Sequence, residues 1–431
     1  MARSQSVLHL QAQTWRFLMS IGMALHKLAP PRPPKPDFSR TIPVAVSPQK
    51  GNVKIQFYVP KDYEERKRRK GQKFPVVVNF HGGGFTLGTA TDDARWAAAV
   101  IGQANAIVAS VDYRLAPEYS FPTAVEDGVD SVLYVARNAE ELWIDADKIA
   151  VSGFSAGGNM AFTVPLRLQE ELDPALDTGE AMAQHMDPNV VAAVPPERRK
   201  LSVNPSELIH SIHPPSGAHH DTRSRSIYAA ENTNALNGTT PNPIKGSAIT
   251  DVKVIQQTRI AAIIAWYPST DYTRDRETRR KTNLNPDHEL SAMFTELFDQ
   301  SYLQPPTMDM ANPYLSPSQA TQFMLSKLPD DIVLYTCEWD MLREEGQHFK
   351  DKLEAMGKRV YHRMVLGVPH GWDKAPNPLK MTPGVAAHYA DACRELRRVF
   401  GGEPEKAQTW DDKKRGSVWN RGGDTEEVSR H

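Results

Sequence analysis

Gly153-Phe154-Ser155-Ala156-Gly157-Gly158 sets one serine between two glycines, each two residues away. The apolar run Lys148 to Ser152 precedes it and a helix pattern opens at Ser155. This is the strand–turn–helix setting in which a serine hydroxyl is raised on a sharp bend. Side chains at the two glycine positions would crowd so tight a turn. Upstream, His81-Gly82-Gly83-Gly84-Phe85 ends another apolar run, Pro75 to Phe80. Glycines there let main-chain amides approach a reacting group with no Cβ in the way. Amides so placed can receive the negative charge that acyl transfer builds on a carbonyl oxygen. The N–H groups of Gly83, Gly84 and Ala156 are the candidate donors. A phosphate-binding loop is the rival reading of this glycine run, which contains neither Gly-Lys-Ser/Thr nor Gly-x-Gly-x-x-Gly.

A serine nucleophile of this kind needs a base and an acid, in the chain order Ser, Asp or Glu, His. Asp340 stands just beyond the apolar run Ile332 to Tyr335. His370 follows the next strand pattern, in Pro369-His370-Gly371-Trp372. His370 would accept the Ser155 proton, and Asp340 would orient the imidazole and stabilise its charged form. Glu338, Glu344 and Glu345 compete with Asp340 for that role. Phe85, Trp96, Phe154 and Trp372 are candidate pocket walls, with core packing as the alternative for each. Large aromatics beside the glycine run would favour small acyl groups.

The elements that must position these residues alternate. Strand patterns fall at Val53 to Val59, Pro75 to Phe80, Ala106 to Val111, Lys148 to Ser152, Ile260 to Tyr267, Asp331 to Thr336 and Val360 to Leu366. Helix patterns fall at Asp92 to Gln103, Thr123 to Ala139, from Ser155, Glu344 to Met356 and Val385 to Phe400. Such alternation predicts an α/β fold with a mostly parallel central sheet and helices on both faces. The charged stretch Glu64 to Lys70 reads as a solvated loop. Residues 178–250, rich in Pro, Ser, Asn, Thr and His, read as a long flexible insertion. Residues 403–431 read as a disordered tail.

The 431 residues allow one large core with additions. A net charge of −1 provides no field to recruit nucleic acid. The two cysteines, Cys337 and Cys393, make a poor disulfide framework and read as small buried hydrophobes in a reducing compartment. His210, His213, His219 and His220 lie close in sequence without a helical carboxylate–histidine pattern, so no metal is expected. Asn237-Gly238-Thr239 matches a glycosylation triplet, with no secretory signal to support it. Residues 1–40 carry no acid before Asp37, an interrupted apolar cluster from Trp15 to Leu28, and a Pro-rich strap from Pro30 to Pro36. Three readings fit that segment: a helix packed over the body, an interfacial membrane helix, and an organellar presequence.

Further motifs join these. Asp112-Tyr113-Arg114-Leu115-Ala116-Pro117-Glu118, Phe121-Pro122, Asn312-Pro313-Tyr314-Leu315-Ser316-Pro317 and Asp340-x-Leu342-Arg343-x-Glu345-Gly346 accompany the glycine run and the serine bend. With them the chain resembles the hormone-sensitive-lipase-like branch of the α/β-hydrolases, the family IV carboxylesterases, over about Lys54 to Val399. The resemblance implies an α/β-hydrolase catalytic domain, taken as residues 41–402. It also implies a helical cap, built from the N-terminal segment and residues 274–303. It implies hydrolysis of small-molecule carboxylic esters through an acyl-enzyme on Ser155, without metal or organic cofactor. The cytoplasm is the expected location, with peripheral membrane contact through residues 1–36 left open. Two features depart from the family: Phe154 where an aspartate is common, and the unusual length of the 178–250 excursion. A non-catalytic small-molecule binder is the rival class, against which the presence of His370 argues. An acyltransferase or lactonase would use the same groups.

Overall fold

The computed structural model describes residues 3–172 and 258–401. The 178–250 insertion, its four histidines, Asn237 and the 403–431 tail lie outside the described residues. The chain opens with helix α1 (Gln5–Leu28), then strands β1 (Phe38–Pro43) and β2 (Asn52–Tyr58), helix α2 (Tyr63–Arg69) and strand β3 (Phe74–Phe80). Next come α3 (Ala94–Ala99), extended by a π turn, β4 (Ile107–Asp112), α4 (Thr123–Arg137), β5 (Ile144–Phe154) and α5 (Ala156–Leu172). After the undescribed stretch follow β6 (Ile260–Trp266), α6 (Arg276–Arg280), α7 (Ala292–Tyr302), α8 (Gln322–Ser326), β7 (Asp331–Trp339), α9 (Arg343–Ala355), β8 (Arg359–Pro369) and α10 (Val385–Val399).

One eight-stranded sheet runs in the order β1-β2-β4-β3-β5-β6-β7-β8. The β1–β2 and β2–β4 pairs are antiparallel and the other five are parallel. Burial on both faces explains why β3, β5, β6 and β7 read as unbroken apolar runs. Nearer the edge, β2 alternates, with Val53 and Ile55 buried and Asn52 and Lys54 exposed. A core lies on each side of the sheet, one around Phe80, Val129 and Phe162, the other around Trp96, Trp266 and Leu396. Both cysteines are buried and free.

Two elements differ from the sequence reading. Strand β1 was not expected, because Ser39, Arg40 and Thr41 leave it only the anchors Phe38 and Ile42. Pairing and a stacked Phe38–Phe57 contact at 4.8 Å hold it to the edge. The charged stretch that reads as a solvated loop forms α2. Ion pairs one turn apart, Asp62–Arg66 and Glu65–Arg69, support it, and buried Tyr63 donates to the carbonyl of Leu142 at 3.0 Å.

The parallel strands finish along one edge, where Phe80 is level with Gly153 and Phe154 with Trp266. Open α/β sheets assemble their sites beyond this carboxyl edge. Helix α1 crosses the loops there. Leu8, Ala12, Met23 and His26 are buried, a spacing that defines one helical face. Arg95 gathers the end of the helix, donating to the carbonyls of His26 (2.7 Å), Ala29 (2.6 Å) and Pro31 (2.6 Å). Those carbonyls have no intrahelical partner to use instead. Among the described residues no helix is long and apolar enough to cross a membrane.

The His26 ring accepts from Arg95 Nε through Nε2 (3.1 Å) and donates from Nδ1 to the carbonyl of Ala375 (3.0 Å). That pattern requires the neutral imidazole, and burial holds its pKa below the ordinary value, with Lys374 and Arg95 acting in the same direction. A base depressed in the folded state contributes stability above its unfolded pKa and loses it as pH falls through the folded one. Acidification below the ordinary imidazole range is therefore predicted to release α1. Hydrogen exchange over residues 5–28 should accelerate there in the wild type. A His26→Gln chain, which cannot protonate, should show no such acceleration.

Candidate active site

Ser155 occupies the bend between β5 and α5 with φ of 55°, a left-handed conformation that non-glycine residues rarely adopt. Close walls impose it. A Cβ at Gly153 would strike the carbonyl of Gly157, and one at Gly157 would strike that of Phe80. The Ser155 amide donates to the carbonyl of Trp266 at 2.9 Å, tying the bend to the neighbouring strand.

Ser155 Oγ lies 2.7 Å from His370 Nε2, and His370 Nδ1 lies 2.7 Å from Asp340 Oδ2. Asp340 is buried and also accepts from the Leu342 amide at 3.0 Å, which fixes its carboxylate plane. The Tyr267 ring stands edge-on to the imidazole with centroids 5.0 Å apart. The competing carboxylates are engaged elsewhere. Glu338 accepts from the Gly367 amide, Glu344 pairs with Arg274, and Glu345 is buried against Arg279 and the Thr270 amide.

The glycine run packs against the bend. A Cβ at Gly82 would sit 3.5 Å from that of Ser155. Among the described residues, the amides of Gly83, Gly84 and Ala156 donate to no acceptor. Gly83 has φ of 115° and Gly84 of 59°, values that explain glycine at both. The Asp112–Glu118 segment buttresses this loop from behind. Tyr113 stacks on His81 at 4.2 Å and donates to its carbonyl at 2.8 Å, and the Ala116 amide donates to the carbonyl of Phe85 at 2.9 Å. Arg114 is buried and doubly bonded to Asp127. Arg16 of α1 joins in, donating to the carbonyls of Thr86 (2.9 Å) and Ala116 (2.8 Å) and pairing with Glu118.

The four aromatics considered as pocket walls are all buried. Trp96 is fully buried, donating to Ser152 Oγ and packing on Trp266, and Phe154 lies stacked beside that indole. Phe85 is stacked on Tyr302 at 3.9 Å, and Trp372 packs against His388. The ring that does stand over the glycine run is Phe298 of α7, which occupies the space a Cβ on Gly84 would need. Phe298 continues through Phe294 to Trp15 of α1 (4.6 Å). The sequence alone singles out neither Tyr267 nor Phe298. The end of an apolar strand was the available signal for Tyr267, whereas a helix whose partner was unknown offered none for Phe298.

Phe154 fills the place of a common aspartate, and a buried charge cluster lies next to it. Lys374 Nζ stands 3.7 Å above the Phe154 ring, 2.6 Å from Asp373 and 3.1 Å from Asp93. Burial opposes the Lys374 charge, but the two carboxylates outweigh it and raise its pKa. Asp373 also accepts from the hydroxyls of Tyr267 and Tyr389. Burial works against its charge too, yet Lys374 and the hydrogen bonds bring its pKa below the usual value. Asp93 remains shifted upward by burial. The cluster begins three residues after His370 and so anchors the loop that carries the imidazole.

The order Ser155, Asp340, His370 along the chain, gathered at the carboxyl edge of this sheet, defines an α/β-hydrolase architecture. The sequence pattern of the family described as alpha/beta hydrolase fold matches residues 77–224 and 247–374. The chain belongs to that family, in its hormone-sensitive-lipase-like branch. It is similar to the carboxylesterase NlhH of Mycobacterium tuberculosis, 50% identical over 88 residues, 20% of this chain and 27% of that protein. To the esterase LipI of the same organism it is 35% identical over 147 residues, 34% of this chain and 44% of that protein. To lipase 2 of Moraxella sp. it is 26% identical over 310 residues, 72% of this chain and 57% of that protein. The matched stretches thus span between about a quarter and just over half of these relatives' lengths. A solved esterase from Pyrobaculum calidifontis shares the fold with a TM-score of 0.60 at 24% identity, over 90% of this chain and 93% of that one.

Replacing Lys374 with methionine would leave two buried carboxylates facing each other without their cation. Breaking one partner of a buried pair typically costs about 3–5 kcal/mol. We expect Lys374→Met to lower the urea midpoint sharply, and a loss under about 1 kcal/mol would contradict the role given to the cluster.

Proposed function

We propose that this chain hydrolyses carboxylic esters of small or medium molecules through an acyl-enzyme on Ser155. The observation that carries the reading is the unbroken line Asp340–His370–Ser155, with both contacts at 2.7 Å, beside amides that have no acceptor among the described residues. Ser155 Oγ attacks the carbonyl carbon while its proton passes to His370 Nε2. The oxygen that becomes negative is received by the amides of Gly83, Gly84 and Ala156. Collapse breaks the C–O bond and expels the alcohol, which takes the proton from His370. Water then attacks the acyl-enzyme by the same route, giving up its proton to His370, which returns it to Ser155 as the acid leaves. Asp340 keeps the imidazole in the tautomer that accepts at Nε2 and stabilises the imidazolium. Losing one amide donor would cost about 10²–10³ in rate. Helix α1 and the α6–α7 segment act as the cap in this reading, with Phe298 bounding the acyl side.

Turnover of p-nitrophenyl acetate and butyrate should be readily measured for the wild type and fall by about 10⁴-fold or more in Ser155→Ala. A fluorophosphonate probe should modify Ser155, located by peptide mass. Inert wild type, or a label on another residue, would overturn the proposal. For Phe298→Ala, opening the space above Gly84 should shift preference toward longer acyl chains, since each added buried methylene is worth about 0.8 kcal/mol. An unchanged chain-length profile would remove Phe298 from the pocket.

A further inference from the structure

Helix α1 has a second face that the catalytic body does not use. Val7, Leu10, Phe17, Ile21, Leu25 and Leu28 recur at spacings of three, four and seven along it, with Leu18 beside them, and all are exposed. Leu10 is 70% and Phe17 65% exposed, although either could have been polar at no cost to the fold. Seven of the eleven large apolar side chains exposed among the described residues lie on this one helix. The stripe is straight and runs most of a helix roughly 36 Å long. Single exposed apolar residues are ordinary, but a continuous patch of this size marks an interaction surface.

The charges identify what it meets. No acidic residue precedes Asp37, whereas Arg3, Arg16, Lys27, Arg32 and Lys35 are basic. Arg3, Arg16 and Lys27 turn toward the body, to Glu296, to Glu118, and to Thr91 and Asp92. Arg32 and Lys35 are exposed in the strap that follows the last turn, without an ion pair among the described residues. An apolar stripe without an acidic residue, followed by the two exposed cations of the strap, fits an anionic lipid surface, into which such a helix lies flat with its apolar face in the headgroup–acyl boundary. The inner face is already committed, through the Arg95 clasp, the Trp15–Phe294 contact and the Arg16 bonds, so docking would leave α1 on the body. We propose that the outer face of α1 docks this protein on the surface of an anionic phospholipid membrane.

Sedimentation with vesicles tests this, using the full chain carrying Ser155→Ala so that the outcome does not depend on the reaction proposed above. The chain should pellet with phosphatidylcholine vesicles containing phosphatidylserine, and less with phosphatidylcholine alone. The variant Leu10→Gln/Phe17→Gln/Ile21→Gln/Leu25→Gln keeps good helix formers at exposed positions. It should stay folded by circular dichroism and bind at least about a hundredfold more weakly. Arg32→Gln/Lys35→Gln should weaken binding to the anionic vesicles about tenfold and leave binding to the neutral ones unchanged. A parent chain that stays in the supernatant with both vesicles overturns the proposal, as does a four-glutamine variant that binds as well as its parent. A parent that is dimeric by light scattering, becomes monomeric in that variant and ignores vesicles would assign the face to a second copy of the chain.

Discussion

The site depends on one strained residue. Ser155 holds a left-handed backbone because the carbonyls of Gly157 and Phe80 close in from either side, leaving room only for hydrogen at positions 153 and 157. Conformations of this kind persist only where the surroundings over-determine them. Here β3, β5 and β6 do so, through parallel ladders and the Ser155–Trp266 bond. The same bend aims the hydroxyl away from the sheet and starts α5 at Ala156, so one constraint sets both the reactive oxygen and a free amide beside it.

Around that bend the supports are layered rather than local. The glycine run is held by bonds within its own loop, from the Thr86 and Leu87 amides to the carbonyl of Gly83, and also by Tyr113 and Ala116 behind it and Arg16 across it. The histidine loop is held by charge, with Lys374 sunk between Asp373 and Asp93. Such a buried triad is weak evidence for stability, since desolvation offsets much of its attraction. Its geometric effect is clearer. It fixes a loop that must present an imidazole within hydrogen-bonding distance of Ser155, and it does so on the face where Phe154 has replaced a polar neighbour.

The sheet was legible from sequence wherever burial on both faces left unbroken apolar runs, as in β3, β5 and β6. Strand β1 was hidden because an edge strand needs only Phe38 and Ile42, and α2 because charged residues stabilise a helix by pairing with one another. Positions 155, 340 and 370 could be picked out because a strand end, a residue type and a chain order coincided at each. Whether the four candidate aromatics line the pocket or fill the core is not legible in the sequence. Distance along the chain from the glycine run says nothing about which way a ring turns at a bend. Phe298 belongs to a helix whose docking partner, α1, has no sequence signature beyond its periodicity, and residues 178–250 offered composition alone.

The middle and the C-terminal end of α1 touch two different loops beside Ser155, Arg16 at the carbonyl of Thr86 and His26 at the carbonyl of Ala375. Those carbonyls flank, respectively, the glycine run and the loop bearing His370. A single helix thus ties the glycine run and the histidine loop together, so displacing it would loosen both. The residues that shape the candidate site reach some 140 residues back along the chain, from Ser155 to Arg16.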